Sequence, residues 1–246
     1  MNDTSQQSQP RLYTDLASWW HVLSTPDGYK KEAEFTRQQL ELVARIPLKT
    51  MLELGSGGGN NAFHLKAHYQ LTLTDIAPGM VEVSRELNPE CEHMVGDMRA
   101  LRLDREFDAV FIHDAIGFMA SETDLFKALQ TAAIHCRNGG AAIFEPDFVK
   151  ETFKPETGHG GHDVGGRSLR YLEWFWDPDE TDDTYMSQMV YLLREGDGPV
   201  RTVSDEASPL GLFSRTTWFR LIREAGFQPF RVTDSYDRDI FLGLKD

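Results

Sequence analysis

Met51-Leu52-Glu53-Leu54-Gly55-Ser56-Gly57-Gly58-Gly59-Asn60 passes from a short apolar run through a glycine-dense turn into a segment of helical spacing. Glycines at that junction let the backbone turn tightly and approach a ligand closely. The free N–H groups of the helix that follows offer donors to a polar ligand edge. Gly57-x-Gly59-x-x-Ala62 also satisfies the dinucleotide fingerprint, with Asp75 at the distance of a ribose-binding acid. The turn by itself therefore leaves two ligand classes open.

Outward from this turn, short apolar runs at 51–54, 71–74, 92–95, 109–112 and 141–144 alternate with helical patterns at 60–67, 78–87 and 122–135. Strands interleaved with helices predict a doubly wound α/β fold with a mostly parallel sheet covered on both faces. Upstream, 12–23 and 29–46 have helical spacing, separated by a turn at Pro26-Asp27-Gly28. Downstream, the pattern changes: 147–212 reads as an inserted antiparallel β-subdomain. It holds a Gly/His loop at 158–162 and strands at 168–176, 184–194 and 200–208. A helix capped by Ser214 and a terminal hairpin at 227–232 and 240–244 then return to the core. The expected organisation is cover helices and ligand-binding core in 1–146, insertion in 147–212, and completion of the core in 213–246.

The 246 residues fit one large domain with an insertion. With 39 acidic against 25 basic side chains the formal charge is −14, which repels a nucleic-acid backbone or an anionic membrane. The polar start, from Met1 to Pro10, lacks a basic segment followed by an apolar run, and no stretch is apolar enough to span a bilayer. Cys91 and Cys136 form no CxxC. A cytoplasmic protein acting on a small molecule, without a nucleic-acid or membrane partner, is expected.

Acids at the ends of three successive strands distinguish the two ligands. Glu53 is out of place beside a pyrophosphate but suits a cationic amino-acid moiety. Asp75 can hold both ribose hydroxyls. Asp97 can accept from an exocyclic amine, with Met98 as an apolar wall. Together they suit an adenosine ligand without phosphates. At these residues, and at Ile76 to Met80 and the last hairpin, the chain resembles the class I S-adenosylmethionine (SAM) dependent methyltransferases. That resemblance implies a Rossmann-like sheet with an antiparallel last strand. It also implies a cofactor site of Tyr29, Glu53, Gly55, Ser56, Gly57, Gly59, Asn60, Asp75, Ile76, Met80, Asp97, Met98 and His113. S-adenosyl-L-homocysteine would be the product.

Within that group the chain is similar to the N,N-dimethyltransferases of nucleotide-linked amino sugars. The matching residues are Gly96 to Arg99, Leu103 to Val110, Ile116-Gly117, Glu145-Pro146, Leu212 to Arg215, Ala225-Gly226, Arg238 and Phe241-x-Gly243, with Tyr29, Glu32 and Ala33 near the start. Tyr13 corresponds to a tyrosine near the acceptor, and Arg238 to an anion-binding residue for it. Two departures put the sugar in doubt: Phe118 stands where that group has a histidine, and Asp147-Phe148 where it has Trp-Trp.

His113 and Asp114 follow the fourth strand, at the carboxyl edge where doubly wound sheets bind ligands. His113 reads as a general base or as a wall beside the adenine, and Asp114 as the holder of an ammonium acceptor. Alternatively, both cap the next turn. Further acceptor-side candidates are Trp20 in the cover helix, Phe118, Glu145, Asp147, Trp174 and Arg238, with His159 and His162 as a lid loop rather than a metal centre. Trp174 reads equally as sheet packing or a homodimer contact. N-methylation of a small amine is the expected activity. O- or carboxyl-methylation, a non-catalytic SAM or adenosine-binding module, and a nicotinamide-dependent reductase are the rivals.

Overall fold

The computed structural model describes residues 10–246. The polar start expected to fray lies, apart from Pro10, outside the described residues. Among the described residues twelve strands form two sheets. The first contains β1 (Thr50–Leu54), β2 (Gln70–Asp75), β3 (Glu92–Val95), β4 (Phe107–Ile112), β5 (Cys136–Phe144), β11 (Phe227–Thr233) and β12 (Asp239–Lys245), in the order β11-β12-β5-β4-β1-β2-β3. Strands β1 to β5 run parallel, and β12 lies antiparallel between β5 and β11. The strand order reverses between β1 and β4, and their carboxyl ends open the crevice where such sheets bind ligands.

The side-chain period of two explains why both faces are buried. Leu52, Leu54, Val110, Ile112 and Phe144 pack with Leu125, Leu129, Trp218 and Ile222 of helices α5 (Glu122–His135) and α6 (Arg215–Glu224). Met51, Ala109, Phe111 and Ile143 pack on the other face with Leu40, Ala62 and Leu65 of α2 (Lys30–Val43) and α3 (Asn60–Leu65). Ser121 and Ser214 cap α5 and α6 by accepting the backbone N–H of Asp124 and Thr217.

The second sheet is antiparallel: β6 (Glu156–Val164), β7 (Arg167–Trp176) and β8 (Thr184–Glu195), with β9 (Arg201–Ser204) and β10 (Ser208–Gly211) both paired to β8. Two expectations change here. The segment at 158–162 is a strand rather than a lid loop; its glycines serve close packing, since a Cβ at Gly161 would overlap the Leu169 carbonyl oxygen. The single strand expected at 200–208 breaks around Asp205, whose carboxylate accepts from the Arg11 backbone N–H at 3.0 Å and the Tyr191 hydroxyl at 3.0 Å.

The helix expected over 12–23 is instead two 3-10 turns, Arg11–Tyr13 and Ala17–Trp19, followed by the single turn α1 (Trp20–Leu23). The segment must satisfy two surfaces at once. Leu12, Leu16, Trp19 and Val22 pack on Leu169, Tyr191, Leu193 and Val203 of the second sheet. Trp20 and Ala17 lie instead against Ala77 and Met80, at the start of α4 (Pro78–Leu87), which follows β2. Among the described residues no helix is long and apolar enough to cross a membrane.

Candidate functional site

The glycine turn leaves β1 and is pinned from β2. Asp75 accepts the Gly57 N–H at 2.8 Å with one oxygen and the Ala77 N–H at 2.8 Å with the other. Gly55, Gly57 and Gly59 have φ of 73°, 53° and 77°, the left-handed region where a side chain is strained. A Cβ on Gly55 would collide with Ala115 and come within 2.8 Å of the Met98 methyl, so the turn hugs the β3 and β4 loops. On its other side Trp20 lies flat enough on Gly58 that a Cβ there would fall inside the indole. His21 Nε2 meets the Gly58 carbonyl at 3.1 Å, and Asn60 donates to the Ser24 carbonyl at 3.0 Å. Trp20 thus covers the glycine turn, a cofactor-side position rather than the acceptor-side one expected from sequence.

Glu53 is the polar group this arrangement leaves incomplete. It is 2% exposed, its Oε2 has no partner, and burial pushes its carboxyl up to about 8. The Ser56 hydroxyl and Asn60 Oδ1 are also buried without partners among the described residues. An ammonium beside Glu53 would supply the missing partner, so these residues fit the methionyl end of SAM. Ile76 is 49% exposed next to Asp75, an open apolar surface beside the turn. Asp97 is gripped by Arg99 in a bidentate pair at 3.0 and 2.7 Å, so an adenine amine would share oxygens already engaged. Met80 is 1% exposed in the packing beneath the N-terminal cover, beside Trp20.

The ends of β4 and β5 carry the other half of the site. His113 is paired through Nε2 with Glu32 and lies 3.5 Å from Glu145, while Nδ1 is 3.1 Å from Asp114. Burial opposes its charge, but Asp114 and Glu32 outweigh it and hold the imidazole well above its usual range. That corrects its reading as a general base: an imidazolium has no lone pair with which to accept a proton. Its nitrogen and the nearest Glu32 and Glu145 oxygens lie within 4.8 Å of one another, a spacing that also suits metal ligands. Tyr29 packs 6.1 Å from the His113 ring, its hydroxyl bonded to Ser24 at 2.8 Å.

Arg238 completes the network from the start of β12. Its guanidinium contacts Asp234 at 2.8 Å, Glu32 at 3.1 Å, Asp114 at 3.5 Å and Asp147 at 3.7 Å. With four carboxylates around it, Arg238 is not the free anion receptor expected. Five carboxyl groups, those of Glu32, Asp114, Glu145, Asp147 and Asp234, surround two cations. Burial would raise Glu32, but His113 and Arg238 hold it down at about 2. Burial pushes Glu145 up to about 7 and raises Asp147 well above the carboxylate range, the latter helped by Asp114. Glu145 is 0% exposed and accepts from Thr36 at 2.6 Å, so it lies behind His113 rather than against an acceptor.

Tyr13 stands where the two halves meet, its ring 5.6 Å from Trp20 and 5.9 Å from Phe118. Burial raises its hydroxyl, and the carboxylates of both Asp75 and Asp114 add to the effect. His159 and His162 are exposed on the outer strand of the second sheet, three residues apart and therefore on opposite faces. Trp174 lines a groove of about 650 Å³ on the second sheet with Phe175, Trp176 and Gln188, and is 38% exposed. The sequence reading singled out neither Thr36, Asp234, Glu173 nor Tyr185. Glu32 and Thr36 stand one helical turn apart on α2, and that i, i+4 pair of polar residues was the available signal.

Residues 51–140 match a family model described as a methyltransferase domain. The chain is 25% identical over 225 residues to dTDP-3-amino-3,6-dideoxy-alpha-D-glucopyranose N,N-dimethyltransferase of Streptomyces fradiae, covering 87% of this chain and 86% of that one. Its fold is similar to that of DesVI from Streptomyces venezuelae, with a TM-score of 0.83 at 20% identity, over 94% of this chain and 98% of the other. A SAM-bound amino pentose methyltransferase from Micromonospora echinaspora superposes with a TM-score of 0.77 at 21% identity, over 89% and 92% of the two chains. The match to a methyltransferase domain resolves the choice that the glycine turn left open, in favour of SAM over a nicotinamide dinucleotide.

Proposed function

We propose, for a chain that is a class I SAM-dependent methyltransferase, that the group methylated is an amine nitrogen of a small molecule, received as an ammonium at Asp114. The excess of carboxyl groups over cations around His113 and Arg238 carries this reading, because such a cleft attracts a cation and repels an acid. Similarity to the Streptomyces fradiae N,N-dimethyltransferase points the same way. Free Cys91 and Cys136 suit a reducing cytoplasm.

Bound SAM supplies an activated methyl group, held by the turn at 55–59 with Glu53 toward its ammonium and Asp75 toward its ribose. The chain's own task is to orient the acceptor, exclude water and remove one proton, since an ammonium has no lone pair. Asp114, 45% exposed at its side chain, holds the incoming cation. Asp147, 3.7 Å from Arg238, adds a second carboxyl on the same side, and the acceptor's proton leaves past these carboxyls to solvent. His113 positions both Glu32 and Asp114 without titrating, and Tyr13 with Phe118 and Trp20 walls the junction from water.

The test is turnover with SAM and a panel of small amines, alcohols and carboxylates, with products located by mass spectrometry. N-methylated product is expected. Asp114→Asn should raise the amine KM about tenfold, since a charge-assisted bond is lost, with little change in S-adenosylhomocysteine affinity. Methylation confined to oxygen would overturn the reading.

A further inference from the structure

One face of the second sheet has no layer of the described residues packed on it. Alternation along β7 turns Leu169 and Tyr171 toward the N-terminal cover, so Ser168, Arg170, Leu172, Trp174 and Trp176 share the opposite face. Register carries that face across the neighbouring strands. Leu172 stands opposite His159 of β6 and Val190 of β8, Trp174 opposite Thr157 and Gln188, and Arg170 opposite Leu192. An antiparallel sheet open to water carries polar residues on its wet side, yet the middle of this face is apolar. Leu172 is 45% and Leu192 41% exposed, and neither they nor Trp174, Trp176 and Val190 belong to any apolar cluster of the described residues. The groove of about 650 Å³ lies among them, lined by Trp174, Trp176, Gln188 and Val190.

We propose that this face binds a second copy of the chain, sheet on sheet, about a two-fold axis running along β7. Size fits: β6, β7, β8 and the two short strands beside β8 present roughly 600 Å², near the 800 Å² or so that each partner gives to a stable interface. Charge fits as well. On a chain of −14 this face carries Arg170 and Arg194 against Asp163 alone, so it repels a second copy least. The two-fold also makes the face complementary to itself. Ser168 stands between Asp163 of β6 and Arg194 of β8, and rotation about β7 sets each Asp163 over the second copy's Arg194 and each Thr157 over its Gln188. Arg170 orients Asp163 at 2.8 Å within its own copy. The nine residues before Pro10 have one apolar side chain, Met1, too little to cover the face themselves. This assembly is independent of which atom is methylated.

Sedimentation equilibrium of the full chain should give twice the chain's mass at micromolar concentration. Leu172→Thr with Leu192→Thr, which keeps side chains suited to a strand, should raise the dissociation constant at least tenfold. S-adenosylhomocysteine affinity of that variant, read by calorimetry, should stay unchanged and shows the fold intact. Asp163→Arg and Arg194→Asp should each weaken association severalfold, and together they should restore it. A chain that stays monomeric at about 100 µM would overturn the proposal, and its flotation with phosphatidylcholine vesicles would give the face to a lipid surface instead. A dimer indifferent to the threonine pair would place the interface elsewhere, and charge swaps whose losses only add would overturn the axis along β7.

Discussion

Glu53 couples cofactor binding to pH. With a carboxyl near 8 in the unliganded fold against an ordinary 4.5, it is largely protonated at neutrality. An ammonium placed beside it favours the carboxylate, so binding expels a proton and tightens as pH rises. S-adenosylhomocysteine affinity should therefore increase between pH 6 and 8 and level off above, and Glu53→Gln should flatten the curve. Calorimetry in buffers of different ionisation enthalpy counts the released proton; zero release in the unaltered protein would sink the idea. The same shift acts on stability with opposite sign. A carboxyl raised by folding contributes stability that is present below 4.5 and is lost as pH rises through about 8, so the unliganded protein should melt lower at pH 8 than at pH 6 unless ligand is added. His113 behaves otherwise. Its imidazolium neutralises Glu32 and Glu145, and His113→Gln leaves buried carboxylates without their cation, a loss of about 3 to 5 kcal/mol on the scale of broken buried pairs. The pH profile of kcat/KM should keep its limbs in that variant, whereas a histidine base would take a limb with it.

Trp20 and Gly58 form the contact between the N-terminal cover and the glycine turn. Gly58, unlike its neighbours, does not sit at positive φ, so what excludes a methyl group there is the indole rather than the backbone. Gly58→Ala should weaken S-adenosylhomocysteine binding about tenfold, and adding Trp20→Ala should restore most of it, a coupling that a double-mutant cycle reads directly. Strictly additive losses would show that the two do not press on each other. This contact marks the limit of what the sequence carries. The alternation of β1 and β4, buried on both faces, and the acids closing β1, β2 and β3 were visible because each depends only on near neighbours in sequence. The cover is not one helix, although its apolar spacing is helical, because its partners lie on the second sheet and on the helix after β2. Likewise 158–162 looked like a loop because glycine is a poor strand former, and only the close approach of β7 explains it. Glu32, Asp234 and Arg238 are at most 206 positions apart in sequence and meet only because β12 inserts beside β5 and α2 crosses the sheet, information that no local pattern holds.

At the scale of the whole molecule, the N-terminal segment ties the two sheets together across the crevice. Arg167 of β7 stacks on Trp19 at 3.8 Å, and His162 of β6 lies 3.2 Å from the Leu23 carbonyl. One residue on, the same cover holds Asn60 through the Ser24 carbonyl. Trp19, 4% exposed, should therefore cost about 3 to 5 kcal/mol when truncated to alanine, because the cavity opens between sheets that share little else there. The charge of the molecule acts over a longer range. At −14, with the site's own carboxyl groups in excess, the field draws a cationic acceptor toward the crevice and screens with salt over about 10 Å at 0.1 M. For a free amine, kcat/KM should fall severalfold as ionic strength rises from about 0.02 to 0.3 M, with most of the change in KM. S-adenosylhomocysteine, which carries both an ammonium and a carboxylate, should respond far less, and that difference separates steering of the acceptor from a general effect of salt on the fold. A nucleotide-linked amine, with its net negative charge, would instead be turned over faster at high salt. A rise with ionic strength for the preferred substrate would mean that the acceptor is an anion and that Arg238 exchanges one of its carboxylates for it on binding.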